Sequence, residues 1–187
     1  MASSSPYRQA LLERLRLEFI SESPEIEELQ KQNEPVKDMV IRLAEEKARH
    51  VAVNYPQGLI IGSDQAVDCN GSVLGKPGSY DKAKQQLLQM SGKSLIFHTG
   101  LCVLNTDLNI LEKDVVDYKV IFRTLSETEI DNYLIKEQPY NCAGSFKSEQ
   151  LGISLLEKME GEDPTALIGL PLISLCKMLR RQGISLP

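Results

Sequence analysis

Several short polar segments of this 187-residue chain carry side chains that could hold a phosphate, a hard metal ion or an attacking water. Ser3-Ser4-Ser5-Pro6-Tyr7-Arg8 places three hydroxyls, backbone N–H groups and a guanidinium at a helix start, and helix N-termini bind phosphate through those N–H groups and the macrodipole. A plain N-cap followed by a surface arginine has the same pattern. Asp64 follows the apolar Leu59-Ile60-Ile61 inside Gly62-Ser63-Asp64-Gln65. A carboxylate at a strand end can face a cleft as base or metal ligand, while a turn carboxylate bonded to its own backbone reads identically. Lys47 lies beside Ala44 and Ala48 at the edge of an apolar helical stripe, where lysine ordinarily snorkels to water. Lys76, between Gly75 and Pro77, sits in a loop where it is either a phosphate ligand or a solvated side chain. The acids from Glu22 to Glu28 form a solvated patch, or one of them joins Asp64 around a Mg²⁺-type ion, which prefers oxygen ligands. In Gly144-Ser145-Phe146-Lys147-Ser148-Glu149, Lys147 could meet a phosphate and Glu149 a base edge, and the segment alone settles neither.

The elements that must position these groups alternate between helical and strand-like patterns, which argues for an α/β or α+β fold. Ser5 and Pro6 open a helix running to about Leu15 with Leu11, Leu12 and Leu15 inward. Phe19 to Ile26 reads as irregular. Pro35 opens a second helix with Val36, Met39, Val40, Leu43, Ala44, Ala48 and Val51 on one face. Leu59 to Ile61 reads as a short buried strand and Ala66 to Cys69 as a second, ending at the hairpin signal Asn70-Gly71. Ser79 is expected to cap a helix with Ala83, Leu87, Leu88 and Met90 in the core. Strands are expected over 95–104, 115–122 and 153–156. Ser126 and Glu129 form a capping box, Pro139 ends that helix, and the last helix spans roughly Pro171 to Arg181 with Gly183 as its stop.

Composition narrows the function. With 42% hydrophobic and 25% charged residues the chain suits one globular domain over 1–187. Acidic residues outnumber basic ones by 26 to 21, unlike a protein that coats duplex DNA or RNA, although a local basic cluster can still hold one nucleotide. Only His50 and His98 are present, so a three-histidine zinc site is excluded and acid–base chemistry falls to carboxylates, lysines or a hard metal. Cys69, Cys102, Cys142 and Cys176 show no CxxC spacing and read as free buried thiols. There is no apolar run of about 20 residues and no secretory pattern at Met1 to Pro6, so the default location is cytoplasmic.

Taken in order, Ser3 to Arg8, Pro24 to Glu28, Arg42 to Ala48, Gly62 to Gln65, Gly75 to Pro77 and Cys142 to Glu149 resemble the Maf family of nucleoside triphosphate pyrophosphatases over nearly the whole chain. Tyr7, Gln65 and Glu149 resemble the YceF-like branch, whose members hydrolyse 7-methyl-GTP. The resemblance implies an α/β fold, with an ITPase-like mixed sheet, flanking helices and two lobes around a deep cleft, usually as a homodimer. It implies hydrolysis of a nucleotide to its monophosphate and pyrophosphate with Mg²⁺ or Mn²⁺, and neither a nucleic-acid polymer nor a membrane as partner. By similarity Asp64 is the proton acceptor, and Ser3, Arg8, Lys47 and Lys76 bind phosphates or support catalysis. Glu28 matches the acidic cleft residue and, with Asp64, a candidate metal ligand. Tyr7, Gln65 and Glu149 match positions that set base specificity.

The chemistry suits these roles. Attack on an α-phosphorus needs its anionic oxygens neutralised, which Arg8, Lys47, Lys76 and a metal ion can do. A 7-methylguanine ring is cationic and is attracted to an aromatic face such as Tyr7. A carboxylate such as Glu149 accepts both guanine donors, at N1 and N2. Competing expectations are a pyrophosphatase for dTTP, UTP or several modified nucleotides, and a nucleotide-binding regulator of septum formation without turnover. Family members usually begin with a hydrophobic strand, here reduced to Met1-Ala2, which is expected to expose apolar surface and loosen the Ser3–Arg8 loop.

Overall fold

The computed structural model describes residues 1–69 and 71–187. Its central element is a five-stranded antiparallel sheet in the order β2-β1-β3-β4-β5. The strands are β1 (Leu59–Cys69), β2 (Ser72–Leu74), β3 (Ser94–Asn105), β4 (Ile110–Phe122) and β5 (Leu156–Glu160). The helices are α1 (Pro6–Glu13), α2 (Val36–Ala52), α3 (Tyr80–Met90), α4 (Glu127–Glu137), α5 (Pro164–Ile168) and α6 (Leu172–Arg181). The expected α/β class with helices flanking a sheet stands. Among the described residues no helix is long and apolar enough to cross a membrane.

The chain divides into two compact units, and the longest strands contribute to both. The first comprises residues 1–64, 99–116 and 163–187. Its sheet is covered on both faces, which explains why Leu101-Cys102-Val103-Leu104 is apolar without alternation. Leu101 and Val103 join Leu11, Leu12, Ile61, Leu175 and Met178 in one cluster. Cys102 and Leu104 join Ala44, Ala48, Val51 and Ile60 in the other. Met1 and Ala2 are buried, and Ala2 bridges in parallel to both Gly62 and Glu22.

The second unit comprises residues 65–98 and 117–162. Here β4 alternates, burying Tyr118, Val120 and Phe122 and exposing Lys119. Phe146 packs between Phe97 and Phe122, with ring centroids 6.0 and 5.3 Å away. The capping box of α4 is present: Ser126 Oγ accepts the Glu129 N–H at 3.3 Å, and Glu129 Oε2 accepts the Ser126 N–H at 2.8 Å.

Local expectations fail where tertiary contact overrides pattern. The region from Leu59 to Cys69 is one strand, not two. Gly62 marks close approach of α2 instead of a break: an added Cβ would lie 2.1 Å from the Ala44 carbonyl oxygen and 3.0 Å from Ala48 Cβ. Asp64 therefore lies inside a strand and not at its end. The strand expected over 153–156 begins instead at Leu156, because Leu151–Leu155 forms a 3₁₀ turn tightened by a 2.8 Å bond from Ser154 Oγ to the Leu151 carbonyl. Leu88 is exposed, on the outer side of α3. Ser79 occupies the N-cap position of α3 without a side-chain capping bond among the described residues. Helix α5 was not expected, although Asp163-Pro164 repeats the cap-then-proline signal of Ser5-Pro6. Gly183 ends α6 as expected, at φ +84°.

β1 and β2 pair antiparallel with Cys69 opposite Ser72. The Asn70-Gly71 hairpin signal involves Asn70, which lies outside the described residues. The four cysteines form no disulfide; Cys69 and Cys102 are buried as expected, whereas Cys142 and Cys176 are half-buried. Burial pushes the Cys102 thiol up to about 12, an inert packing thiol.

Gly62→Ala should destabilise the fold by about 1–3 kcal/mol through overpacking. Thermal unfolding followed by circular dichroism reads this as a melting point lowered by several degrees, at roughly 2–4 °C per kcal/mol for a chain of this size.

Candidate active site

In the first unit, α2 and β1 bring a buried cation against two carboxylates. Lys47 is 3% exposed. Its Nζ donates to Asp64 Oδ1 at 2.6 Å and lies 2.7 Å from Glu28 Oε1. The expectation that Lys47 snorkels to water is thus reversed: it points inward because two carboxylates meet it there. Asp64 is itself buried, while Glu28, from the segment ahead of α2, is partly exposed. Gly62, Ala44 and Ala48 are the small residues that let helix and strand approach closely enough for this contact.

Arg8 is buried and is not the surface arginine that its pattern also allowed. Ser5 caps α1 by accepting the Arg8 N–H, and Ser3 Oγ accepts the Ser5 N–H at 3.1 Å. Arg8 Nε donates to the Gly169 carbonyl at 2.8 Å. Burial lowers the pKa of Arg8 from its ordinary value, and the nearby carboxylates of Asp64 and Glu28 work against that shift. Gly169, at φ +118°, adopts a backbone conformation that favours glycine. Its carbonyl also faces Ser63 Oγ at 2.9 Å, whose single proton is shared with the Gly100 carbonyl, likewise at 2.9 Å.

The α5–α6 junction that presents Gly169 is tied by Asp163. Its carboxylate accepts the N–H groups of Thr165 at 2.9 Å and Ile173 at 2.8 Å, capping both helices. Nothing in the sequence reading singled out Asp163, Ser63 or Gly169. Asp163-Pro164 carried a detectable helix-start signal; the acceptor role of a backbone carbonyl carried none.

Arg42 fixes the segment that carries Glu28. Its Nε and Nη2 reach the two oxygens of Glu34 at 2.6 and 2.7 Å, and Nη2 also donates to the Leu29 carbonyl at 3.0 Å. The hydrogen bond from Arg42 outweighs desolvation and pulls the Glu34 carboxyl from its ordinary 4.5 down to about 2.

Gln65, the next residue of β1, belongs to the second unit together with Lys76 and Glu149. Gln65 and Tyr7 are half-buried. Lys76 is exposed in the loop between β2 and α3, and Glu149 is exposed in the loop after Phe146. The neighbouring Lys147 is directed to Glu137, with Nζ 3.1 Å from both its carbonyl and its Oε1. The structure thus brings Arg8, Glu28, Lys47 and Asp64 together in one unit. In the other it ties the loops of Lys76 and Glu149, where the Gly144 N–H donates to the Gly75 carbonyl at 3.2 Å.

Among the described residues, no group of three or more His, Cys, Asp or Glu is arranged to hold a metal. Asp64 and Glu28 form a pair of oxygen donors on one ammonium. Mg²⁺ is commonly held by one or two carboxylates, with water and substrate phosphates completing its octahedron, so this donor pair fits such an ion.

Removing the shared ammonium leaves Asp64 buried without its partner. Lys47→Met should therefore cost about 3–5 kcal/mol of unfolding free energy, the usual cost of breaking a buried pair, read by urea denaturation. Asp64→Asn should cost less, because Lys47 keeps Glu28. A carboxyl held below its unfolded pKa stabilises the fold above that value, and the contribution drains away as pH falls from 4.5 towards about 2. Glu34→Gln should accordingly flatten the loss of stability between about pH 5 and pH 3, measured by the same denaturation.

A protein-family model described as Maf-like protein matches residues 1–182. That match covers α1, α2, β1 and the segment ahead of α2, which carry Arg8, Lys47, Asp64 and Glu28, and the loops that carry Lys76 and Glu149. The chain belongs to the Maf family, whose members are generally nucleoside triphosphate pyrophosphatases.

Proposed function

We propose that this chain hydrolyses 7-methyl-GTP to 7-methyl-GMP and pyrophosphate. The observation that carries the catalytic part of the reading is the buried ammonium of Lys47 shared by Asp64 and Glu28, with Arg8 within electrostatic reach of both carboxylates. Such a cluster supplies a fixed base and fixed positive charge in a water-poor setting, where electrostatic interactions are stronger than in bulk water.

Asp64 accepts a proton from water as the water oxygen bonds to the α-phosphorus. The bond from that phosphorus to the bridging oxygen of the leaving pyrophosphate breaks, and pyrophosphate carries away the electron pair. Arg8, Lys47 and Lys76 offset the charge on the phosphate oxygens, and Ser3 supports the α1 N-terminal turn that faces them. Maf pyrophosphatases are generally dependent on a divalent metal. Asp64 and Glu28 would hold such an ion, which when bound supplies Lewis-acid polarisation of the phosphate. Tyr7 offers its ring to the cationic base. Glu149 accepts the N1 and N2 protons of guanine, and Gln65 supplies a polar contact to the base.

Pyrophosphate release from 7-methyl-GTP, GTP, CTP, dTTP and UTP, with Mg²⁺ or Mn²⁺, tests this reading. Wild type should prefer 7-methyl-GTP. Asp64→Asn should lower kcat by about 100-fold or more, the usual range for loss of a general base. Glu149→Gln should lower kcat/KM for 7-methyl-GTP by about 10–100-fold, matching the ~1.5–3 kcal/mol of a hydrogen bond to a charged group. Equal or better turnover of dTTP or UTP by wild type would transfer the assignment to a pyrimidine pyrophosphatase. Folded wild type that binds nucleotides but turns none over would favour a binding regulator.

A further inference from the structure

Two loops of the second unit, already bonded from the Gly144 N–H to the Gly75 carbonyl, are also joined through a side-chain amide. Gln86, on α3, donates from Nε2 to the Gly75 carbonyl at 3.2 Å and accepts the Ser145 hydroxyl proton at Oε1, with the oxygens 2.6 Å apart. Gly75 immediately precedes Lys76. Ser145 opens the run that leads to Glu149.

The two ends of this tie make different demands. The Gly75 carbonyl accepts from the Gly144 N–H and has a second lone pair for the Gln86 amide. The Ser145 hydroxyl is completely buried and needs an acceptor for its proton. A primary amide supplies both at once; a carboxylate supplies the acceptor alone, and a methionine of similar length supplies neither. Ser145 also holds φ +56°, a left-handed backbone that a residue with a Cβ keeps only where its surroundings over-determine it.

Other bonds pin the same region. The Gly78 N–H donates to the Tyr140 carbonyl at 2.9 Å. The Lys147 N–H donates to the Tyr133 hydroxyl at 3.2 Å, and the Leu151 N–H to Glu137 Oε2 at 3.1 Å. The Gly78 bond, like that from the Gly144 N–H to the Gly75 carbonyl, links the two loops through backbone, the Lys147 and Leu151 bonds hold the second loop to α4, and Gln86 adds a side-chain link between the two loops.

We propose that Gln86 is a positioning residue that keeps the Lys76 and Glu149 loops in register, and thereby sets phosphate contact and base selectivity together. The proposal rests on the roles given to Lys76 and Glu149 above. Its test uses the full chain as wild type, Gln86→Met, Gln86→Glu, Ser145→Ala and the Gln86→Met/Ser145→Ala double variant. One readout is amide hydrogen exchange over residues 75–78 and 143–149; the other is kcat/KM for 7-methyl-GTP and for GTP.

Gln86→Met should speed exchange in both loops and, by leaving the buried Ser145 hydroxyl without its acceptor, lower the melting point by a few degrees. It should lower kcat/KM for 7-methyl-GTP by about tenfold or more, since a misplacement of about 1 Å can cost 100-fold, and it should lower the ratio of 7-methyl-GTP to GTP turnover. Gln86→Glu should keep protection on the Ser145 side and lose it at 75–78. The double variant should lose less than the product of the single losses. Unchanged exchange in the two loops would overturn the proposal. So would an equal loss of activity on both nucleotides, which marks a merely structural residue. If wild type turns over no nucleotide, the reading of Lys76 and Glu149 fails on its own. Exchange then decides the tie: unchanged protection overturns it, and faster exchange in both loops upholds it.

Discussion

The ammonium of Lys47 sits where water has almost no access, and two carboxylates make that burial tolerable. Withdrawing an ammonium and a carboxylate from water costs several kcal/mol per ion, and their attraction offsets this only when geometry is close and well aligned. Contacts of 2.6 and 2.7 Å meet that condition. They impose a constraint on everything around them. Helix α2 must lie near enough to β1 for a lysine on one to reach an aspartate on the other. The methyl groups of Ala44 and Ala48 and the bare Gly62 are what that distance permits, and Gly100 of β3 plays the same part against Val40 of the helix. The small residues along this contact follow from the placement of a charge as much as from the packing of a core.

Arg8 is held from a different direction and by a different kind of acceptor. Its Nε is committed to the carbonyl of Gly169. A guanidinium is a rigid planar fork, so fixing one N–H orients the others. The carbonyl is itself placed by the junction that Asp163 caps at two helix starts. The same carbonyl faces the hydroxyl of Ser63, the residue before Asp64 in β1. A single backbone oxygen therefore sets the guanidinium and lies one residue from the candidate base. Asp163 acts on the cluster at a distance, through helix geometry instead of contact.

Local hydrogen-bonding patterns were legible in the sequence because both partners lie within a few residues. Ser5-Pro6 at α1, the Ser126–Glu129 box and the Gly183 stop all appear as expected. The apolar period of α2 marked its buried face correctly. Burial of charge was not legible in the same way. Lys47 meets partners 17 and 19 residues away, and Arg8 meets a carbonyl 161 residues away. Read locally, both resemble surface cations. Gly62 was misjudged for a related reason: a glycine after three apolar residues looks like a strand end, and only the neighbouring helix reveals it as a point of contact. The candidate residues themselves were found through the order of several weak motifs. Residues that position them, such as Gln86 and Asp163, bond to backbone groups or to one hydroxyl, and their types alone do not distinguish them from a solvated helix face or an ordinary cap.

The loop of Glu149 shows why this distinction matters for chemistry. Lys147 carried an expectation of phosphate contact, yet its ammonium lies against Glu137. That pairing, with the bonds of the Lys147 and Leu151 N–H groups, holds the backbone on both sides of Glu149. Glu149 itself is exposed, and the contact to its carboxylate from the Ser148 hydroxyl is long, at 3.4 Å. The pinned backbone therefore fixes the point from which this side chain departs. Under the role proposed for Glu149, base selectivity would depend on two separable things. The carboxylate would decide which hydrogen-bond pattern can be accepted, and the pins where that pattern must be presented. A change at position 149 would alter the first, whereas a change at Glu137, Tyr133 or Gln86 would leave the carboxylate intact and alter the second.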